Sequence, residues 1–315
     1  MSPHAHDRRP GPLLVWGALA IVYVVWGSTY LGIRVAIETM PPLLHGSLRF
    51  LAAGVVLALV LLAVKGRQAL RVTRREFLSA ALIGLLLLTA GNGMVAIAEQ
   101  HISSGLAALL VASVPLWLVI FRTAARDRPP LLTLAGVLIG FTGVALLSLS
   151  GNSGGATSHI GVIVILLASL SWSVGSFLSG RITMPRDPFA ASVYEMLAGG
   201  LALGVVGLAR GERLDVTAVS GHSWLALAYL IVFGSLIAFT SYAWLLGNAP
   251  ISLVATYAYV NPVVAVALGV AVLNERVTTP ILAAGAVIVL GVALVVSTES
   301  LRNRRARTPD PALTD

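Results

Sequence analysis

The sequence predicts an all-α membrane protein of ten transmembrane helices, arranged as two inverted five-helix repeats. Three observations carry this. First, 57% of the 315 residues are hydrophobic and 11% charged, with a mean hydropathy of +0.91. Soluble proteins carry roughly a quarter charged residues and have no way to hide this much apolar surface. Second, the chain holds ten apolar runs of about the 20 residues a helix needs to cross a bilayer. Third, the chain echoes itself. Arg34, Pro41 and Pro115 recur as Arg181, Pro188 and Pro262, each 147 residues on (181 − 34, 188 − 41, 262 − 115). One position later in register, Asp127-Arg128 recurs as Glu275-Arg276, and Gly143-Val144-Ala145-Leu146 as Gly291-Val292-Ala293-Leu294. Five spans per copy is an odd number, so the second copy enters the membrane upside down. Inverted repeats are a recurring plan of secondary transporters, with the substrate site where the halves meet.

The first copy, residues 13–149, contains the runs Leu13–Ile37, Leu43–Val64, Phe77–Ala98, Ser103–Phe121 and Leu131–Leu149. The second, residues 160–297, contains Ile160–Gly180, Pro188–Ala209, Trp224–Leu246, Ile251–Leu273 and Pro280–Ser297. Ser150–His159 (SGNSGGATSH) has the composition of a flexible linker. Residues 298–315 form a charged, Pro-containing tail expected to be disordered and cytoplasmic. Met1–Pro10 is polar, and the run behind it is too long for the core of a cleaved signal, so it reads as a retained first span.

Charge bias sets the orientation. With the N-terminus in the cytoplasm, the inner segments carry sixteen Lys and Arg, clustered at Arg8–Arg9, Lys65–Arg75, Arg122–Arg128, Arg181–Arg186 and Arg302–Arg307. The outer ones carry four: Arg34, Arg210, Arg213 and Arg276. This places a multi-pass protein in the cell inner membrane with both termini cytoplasmic. The same clustering between apolar runs makes the net charge of +8 a topology signal rather than a nucleic-acid footprint. There is no cysteine, hence no disulfide or thiol metal site. The chain has no G-x-x-x-x-G-K-[ST] loop, H-E-x-x-H pair or G-x-S-x-G elbow, and its six histidines are scattered near termini and loops. Neither an enzyme, a cofactor nor a metal is expected. No acidic ring or TVGYG-like filter points to a channel.

Polar groups inside the spans are the candidates for function, because a charge at mid-membrane costs about 2.5–3.5 kcal/mol and does not face lipid. Arg49 lies seven residues after Pro42, and Glu195 seven after Pro188. Two readings of Arg49 stay open: it snorkels or ties helix ends together, or it serves a site. Glu195 has the shorter side chain and is the better site candidate, either for a substrate amine or for a coupling proton. The ninth span holds the densest polar set, Thr256, Tyr257, Tyr259 and Asn261 before Pro262; the positions 147 residues earlier, Leu109, Leu110, Ala112 and Val114, are all apolar. Polarity in one copy alone points to substrate, or to packing that only the second half needs. Pro115 and Pro262, present in both copies, read as a shared kink. Trp26, Thr29 and Tyr30 share a face of the first span, Trp172 lies deep in the sixth, and Tyr242 in the eighth. Asn92, between two glycines, is expected to hydrogen-bond across helices. Glu99-Gln100-His101 is expected at the outer interface in solvent. Gly136-x-x-x-Gly140 and Gly200-x-x-x-Gly204 read as packing faces.

At the level of motifs the chain resembles the EamA domain family of the drug/metabolite transporter superfamily. Leu273–Leu294 (LNERVTTPILAAGAVIVLGVAL) looks like the end of an EamA domain, as does Ser103–Trp117 (SSGLAALLVASVPLW). Val25–Ile37 (VWGSTYLGIRVAI) and Arg49–Leu62 (RFLAAGVVLALVLL) resemble its first two spans. The resemblance covers about residues 13–297 in two copies; Asp127 and the Pro129-Pro130 pair depart from the usual Glu and polar turn. It implies a ten-helix bundle with a central cavity that moves small metabolites, often amino acids or their relatives, and commonly outward. The expected function is therefore a secondary exporter of small metabolites or drug-like compounds by alternating access. Its partners would be a small-molecule substrate and the lipid bilayer, with a coupling proton as one option. Trp26, Tyr30, Trp172, Glu195, Tyr242, Tyr257, Tyr259 and Asn261 are the expected cavity residues, since aromatic walls with a few polar groups suit a part-apolar substrate. The alternative is a lipid or lipid-linked-sugar flippase on the same fold.

Overall fold

Helix ends are written into the loops by caps. Thr73 and Glu76 form a reciprocal capping box, so the third span starts at Arg74 rather than Phe77. Ser103, Asp187 and Ser220 accept from the backbone N–H of Leu106, Phe189 and Ser223. Pro42 and Pro188 occupy first turns, where a missing N–H costs nothing. Gly66 (φ +73°) and Gly211 (φ +81°) supply left-handed stops after two spans. The resulting computed structural model describes residues 12–126, 129–149, 159–249, 251–254 and 256–305; the Ser150–Ser158 part of the expected linker and the tail beyond Arg305 lie outside them.

Among the described residues there is no strand. Ten apolar helical segments follow in order: α1 (Pro12–Ala36), α2 (Pro42–Lys65), α3 (Arg74–Ala98), α4 (Ser104–Ala124), α5 (Leu131–Leu149), α6 (His159–Ser179), α7 (Pro188–Ala209), α8 (Gly221–Tyr229, Leu230–Ile237 and Ala238–Asn248), α9 (Ile251–Val254 and Tyr257–Leu273) and α10 (Thr279–Arg305). Eight are long and apolar enough to cross a membrane, and the apolar parts of α5 and α9 are shorter. Large apolar side chains such as Leu59, Leu138, Leu201 and Leu290 are more than half exposed on these helices. Lipid tails are the environment in which such surface costs nothing.

The helices pair as a duplicated, inverted chain requires. α2 packs on α7, α4 on α9 and α5 on α10, so three of the five elements meet their own counterparts. Several other contacts come in matched sets: α1 with α8 and α6 with α3, α1 with α9 and α6 with α4. Small residues let backbones touch. A methyl added at Gly291 would collide with the Gly140 backbone, and one at Gly136 would lie 3.0 Å from the Gly291 carbonyl. Gly200 and Gly204 face Leu51 and Ser47 of α2. Both glycine pairs therefore pack helix on helix.

Three details differ from the sequence expectation. α10 stays helical to Arg305, eight residues past Ser297, because no Pro or Gly interrupts Thr298–Arg305. Asn92 donates to the Leu87 carbonyl (3.3 Å) within its own helix instead of across helices. The prolines do not make one shared kink. α4 breaks at Ala112–Ser113, directly before Val114-Pro115, whereas Pro262 lies inside Tyr257–Leu273 and α9 breaks further upstream. There Thr256 donates its hydroxyl to the Leu253 carbonyl and is hydrogen-bonded by Tyr23. A hydroxyl competing for backbone carbonyls interrupts a helix, and only the second copy has it.

Candidate functional site

Three stretches wind as wide π turns: Val22–Trp26 in α1, Leu85–Asn92 in α3 and Leu230–Ile237 in α8. Such turns re-aim side chains and are frequent at functional sites. In α1 the turn ends on Trp26; in α8 it presents Gly234 and Ser235. The two meet, with the Trp26 indole N–H donating to the Gly234 carbonyl at 3.3 Å. Around that indole the ring of Tyr242 lies at 5.0 Å and that of Tyr257 at 5.3 Å, and the two tyrosines are 5.7 Å apart. The rings are tilted or edge-on, the favoured arrangements for aromatic pairs. Leu19, Val22, Leu245 and Val254 form the apolar cluster against which the trio packs.

Arg49 reaches the same turn from α2. Its Nε donates to the Ser235 hydroxyl at 3.0 Å, and a methyl added at Gly234 would lie 3.3 Å from its Nη2 and 3.2 Å from Thr29. Arg49 is 6% exposed. The guanidinium and the indole therefore flank consecutive residues of one π turn. The arrangement brings three aromatic rings and one buried positive charge to a single turn of α8. It offers no acid/base pair, and among the described residues no three His, Cys, Asp or Glu side chains converge as for a metal.

The other expected residues spread around this core. Trp172 sits against Gly91 of the α3 π turn, its Cε3 3.0 Å from where a methyl would be. That is the counterpart of Trp26 against Gly234, in the other half. Glu195 stands on α7, where Gly84 admits its backbone to within van der Waals limits of α3. Its carboxylate has no hydrogen-bond or ion-pair partner among the described residues, and it does not pair with Arg49. Tyr30 and Tyr259 pack onto the main hydrophobic cluster of Ile33, Leu110, Leu116 and Ile165 rather than joining the trio. Asn261 backs onto Gly27, and its Oδ1 is buried without a hydrogen bond among the described residues.

Of the expected solvated Glu-Gln-His segment, Gln100 and His101 are exposed and Glu99 is not. Its side chain has no exposed surface, and neither carboxyl oxygen has a hydrogen-bond partner among the described residues. Arg34 donates to its backbone carbonyl instead. Ser235 and Tyr23 were invisible as site residues, since a lone Ser or Tyr in an apolar run carries no pattern. Arg49 had a signal, its charge, but not the address of its partner.

Comparison with known proteins agrees with this architecture. The profile of the EamA-like transporter family matches residues 14–149 and 159–297. The chain is 43% identical over 285 residues to "Uncharacterized inner membrane transporter YedA" of Escherichia coli K12, covering 90% of each. It is 27% identical over 281 residues to "Uncharacterized transporter YvbV" of Bacillus subtilis 168, covering 88% of this chain and 90% of that one. A solved crystal structure at 22% identity shares the fold with a TM-score of 0.63, over 94% of this chain and 98% of the other. With a family profile matching both halves and a relative this similar along nine-tenths of its length, the chain belongs to the EamA-like transporter family, part of the drug/metabolite transporter superfamily.

Proposed function

We propose that the protein is a secondary, non-ATP-driven exporter of small metabolites, amino acids or drug-like compounds, residing in the cell inner membrane. Residues 13–149 and 160–297 are the two moving bodies, and they rock about a site between them to give alternating access. The single observation behind this reading is the Trp26–Tyr242–Tyr257 trio. It joins a span of the first half to two of the second, so any rocking of the halves opens or closes it. Glu195 on α7, without a pairing partner among the described residues, is the proposed carrier of a coupling proton.

An untargeted comparison of metabolites in medium and cytosol, with and without overexpression, tests this. Small polar or amphipathic compounds accumulate in the medium with the wild type. Trp26→Ala, Tyr242→Ala and Tyr257→Ala each reduce that accumulation about tenfold or more, as loss of a stacked aromatic wall predicts. Export unchanged in all three variants at equal membrane abundance would sink the proposal.

A further inference from the structure

The Arg49 guanidinium carries five N–H donors, and Ser235 takes one of them. The guanidinium carbon also lies 4.9 Å from the centre of the neighbouring Phe50 ring. No carboxylate pairs with it among the described residues. His45, buried one turn earlier on the same helix, is no counter-ion, since an imidazole is neutral or positive. A buried charge held this deep in a span is costly unless something supplies the opposite charge. The helix has not simply let the side chain escape to the membrane surface, because Nε is tied inward to α8 of the other half. The turn that holds Arg49 also holds the aromatic trio: Trp26 bonds the Gly234 carbonyl and Arg49 the hydroxyl of the next residue, Ser235.

We infer that Arg49 and Ser235, with Trp26, Tyr242 and Tyr257, form a binding site for an organic monocarboxylate. The planar guanidinium fork takes the carboxylate bidentately, Ser235 holds the fork in orientation, and the three rings receive the apolar body. A single positive charge matches one carboxylate. A dianionic phosphate would bring a second negative charge for which the site has no cation. This rests on the transporter reading above and gives its substrate a charge: an anion rather than an amine or a neutral drug.

The test uses two probes of one shape, 3-phenylpropionate and 3-phenylpropionamide, titrated into purified full-length protein in nanodiscs and followed by tryptophan fluorescence. The wild type binds the carboxylate at least about tenfold more tightly than the amide, the scale of a charge-assisted bidentate contact. Arg49→Gln removes the preference, Ser235→Ala narrows it, and Arg49→Lys keeps part of it because an ammonium retains charge without the fork. Should Arg49→Gln not fold, Ser235→Ala and Arg49→Lys carry the comparison. Equal affinity for both probes, binding of neither, or a preference that survives all three substitutions overturns the inference. If export persists and still depends on the aromatic trio while the probes bind equally, the carboxylate site alone has failed. If export is absent, the transporter reading has failed as well.

Discussion

Glu99 shows how a single residue can be misread from its neighbours in sequence. Glu-Gln-His between two apolar runs looks like a solvated loop, yet Glu99 is fully buried just beyond α3. Gly161 lets the first turn of α6 close over Ala98, His101 and Ile102, and the Glu275 carboxylate binds the start of α4 beside it. Burial pushes the Glu99 carboxyl well above the usual carboxylate range; Arg34 acts in the opposite direction and nearby Glu275 reinforces the rise. The sign follows from linkage. A group whose folded pKa is raised contributes stability that is fully present below its unfolded value and is lost as pH rises through the folded one. Glu99→Gln holds the neutral form at every pH. It should therefore flatten the fall of melting temperature from acid to alkaline conditions and exceed the wild type at the alkaline end. Thermal unfolding in detergent across that range measures this, and an unchanged pH slope would contradict it.

At the scale of elements, the wide turns of α3 and α8 are equivalent parts of the two halves, Leu85–Asn92 and Leu230–Ile237, starting 145 residues apart (230 − 85). Each offers a glycine to a tryptophan from the other half, Gly91 to Trp172 and Gly234 to Trp26. Periodicity did not show them, because a π turn is one extra residue in an otherwise unbroken apolar run. The contact of α3 with α7 is tighter still. A methyl at Gly84 would overlap the Glu195 carbonyl and lie 2.8 Å from its Cα, all backbone that has no rotamer to yield. Gly84→Ala should cost about 1–3 kcal/mol, the usual scale of overpacking. Gly17→Ala, with nothing within 4 Å, is the control and should leave stability unchanged or raised. Denaturation of both variants decides it; equal stabilities would mean that the α3–α7 contact relaxes freely.

For the whole molecule, inversion fixes what the ends must do. Ten spans return the chain to the side where it began, and the charge bias, sixteen Lys and Arg against four, predicts that this side is the cytoplasm. A fluorescent protein fused to Asp315 should therefore fold and fluoresce in the cytoplasm, while alkaline phosphatase at the same point stays inactive. Active phosphatase there would reverse the orientation and with it the direction assigned to the halves. The pairing of α2 with α7, α4 with α9 and α5 with α10 puts counterparts against one another, which is where a rocking motion between halves would slide.

Span number, duplication, inversion and family were determined by the sequence itself. Each is a property of a one-dimensional string: the length of an apolar run, the offset between two copies, the parity of a count. The tertiary structure alone decided which polar groups share a site. Trp26 meets Gly234 across 208 positions, and Arg49 meets Ser235 across 186. Those contacts exist because α1 and α2 of the first half pack on α8 of the second, and nothing in the local pattern around Arg49 or Ser235 states where the other will be.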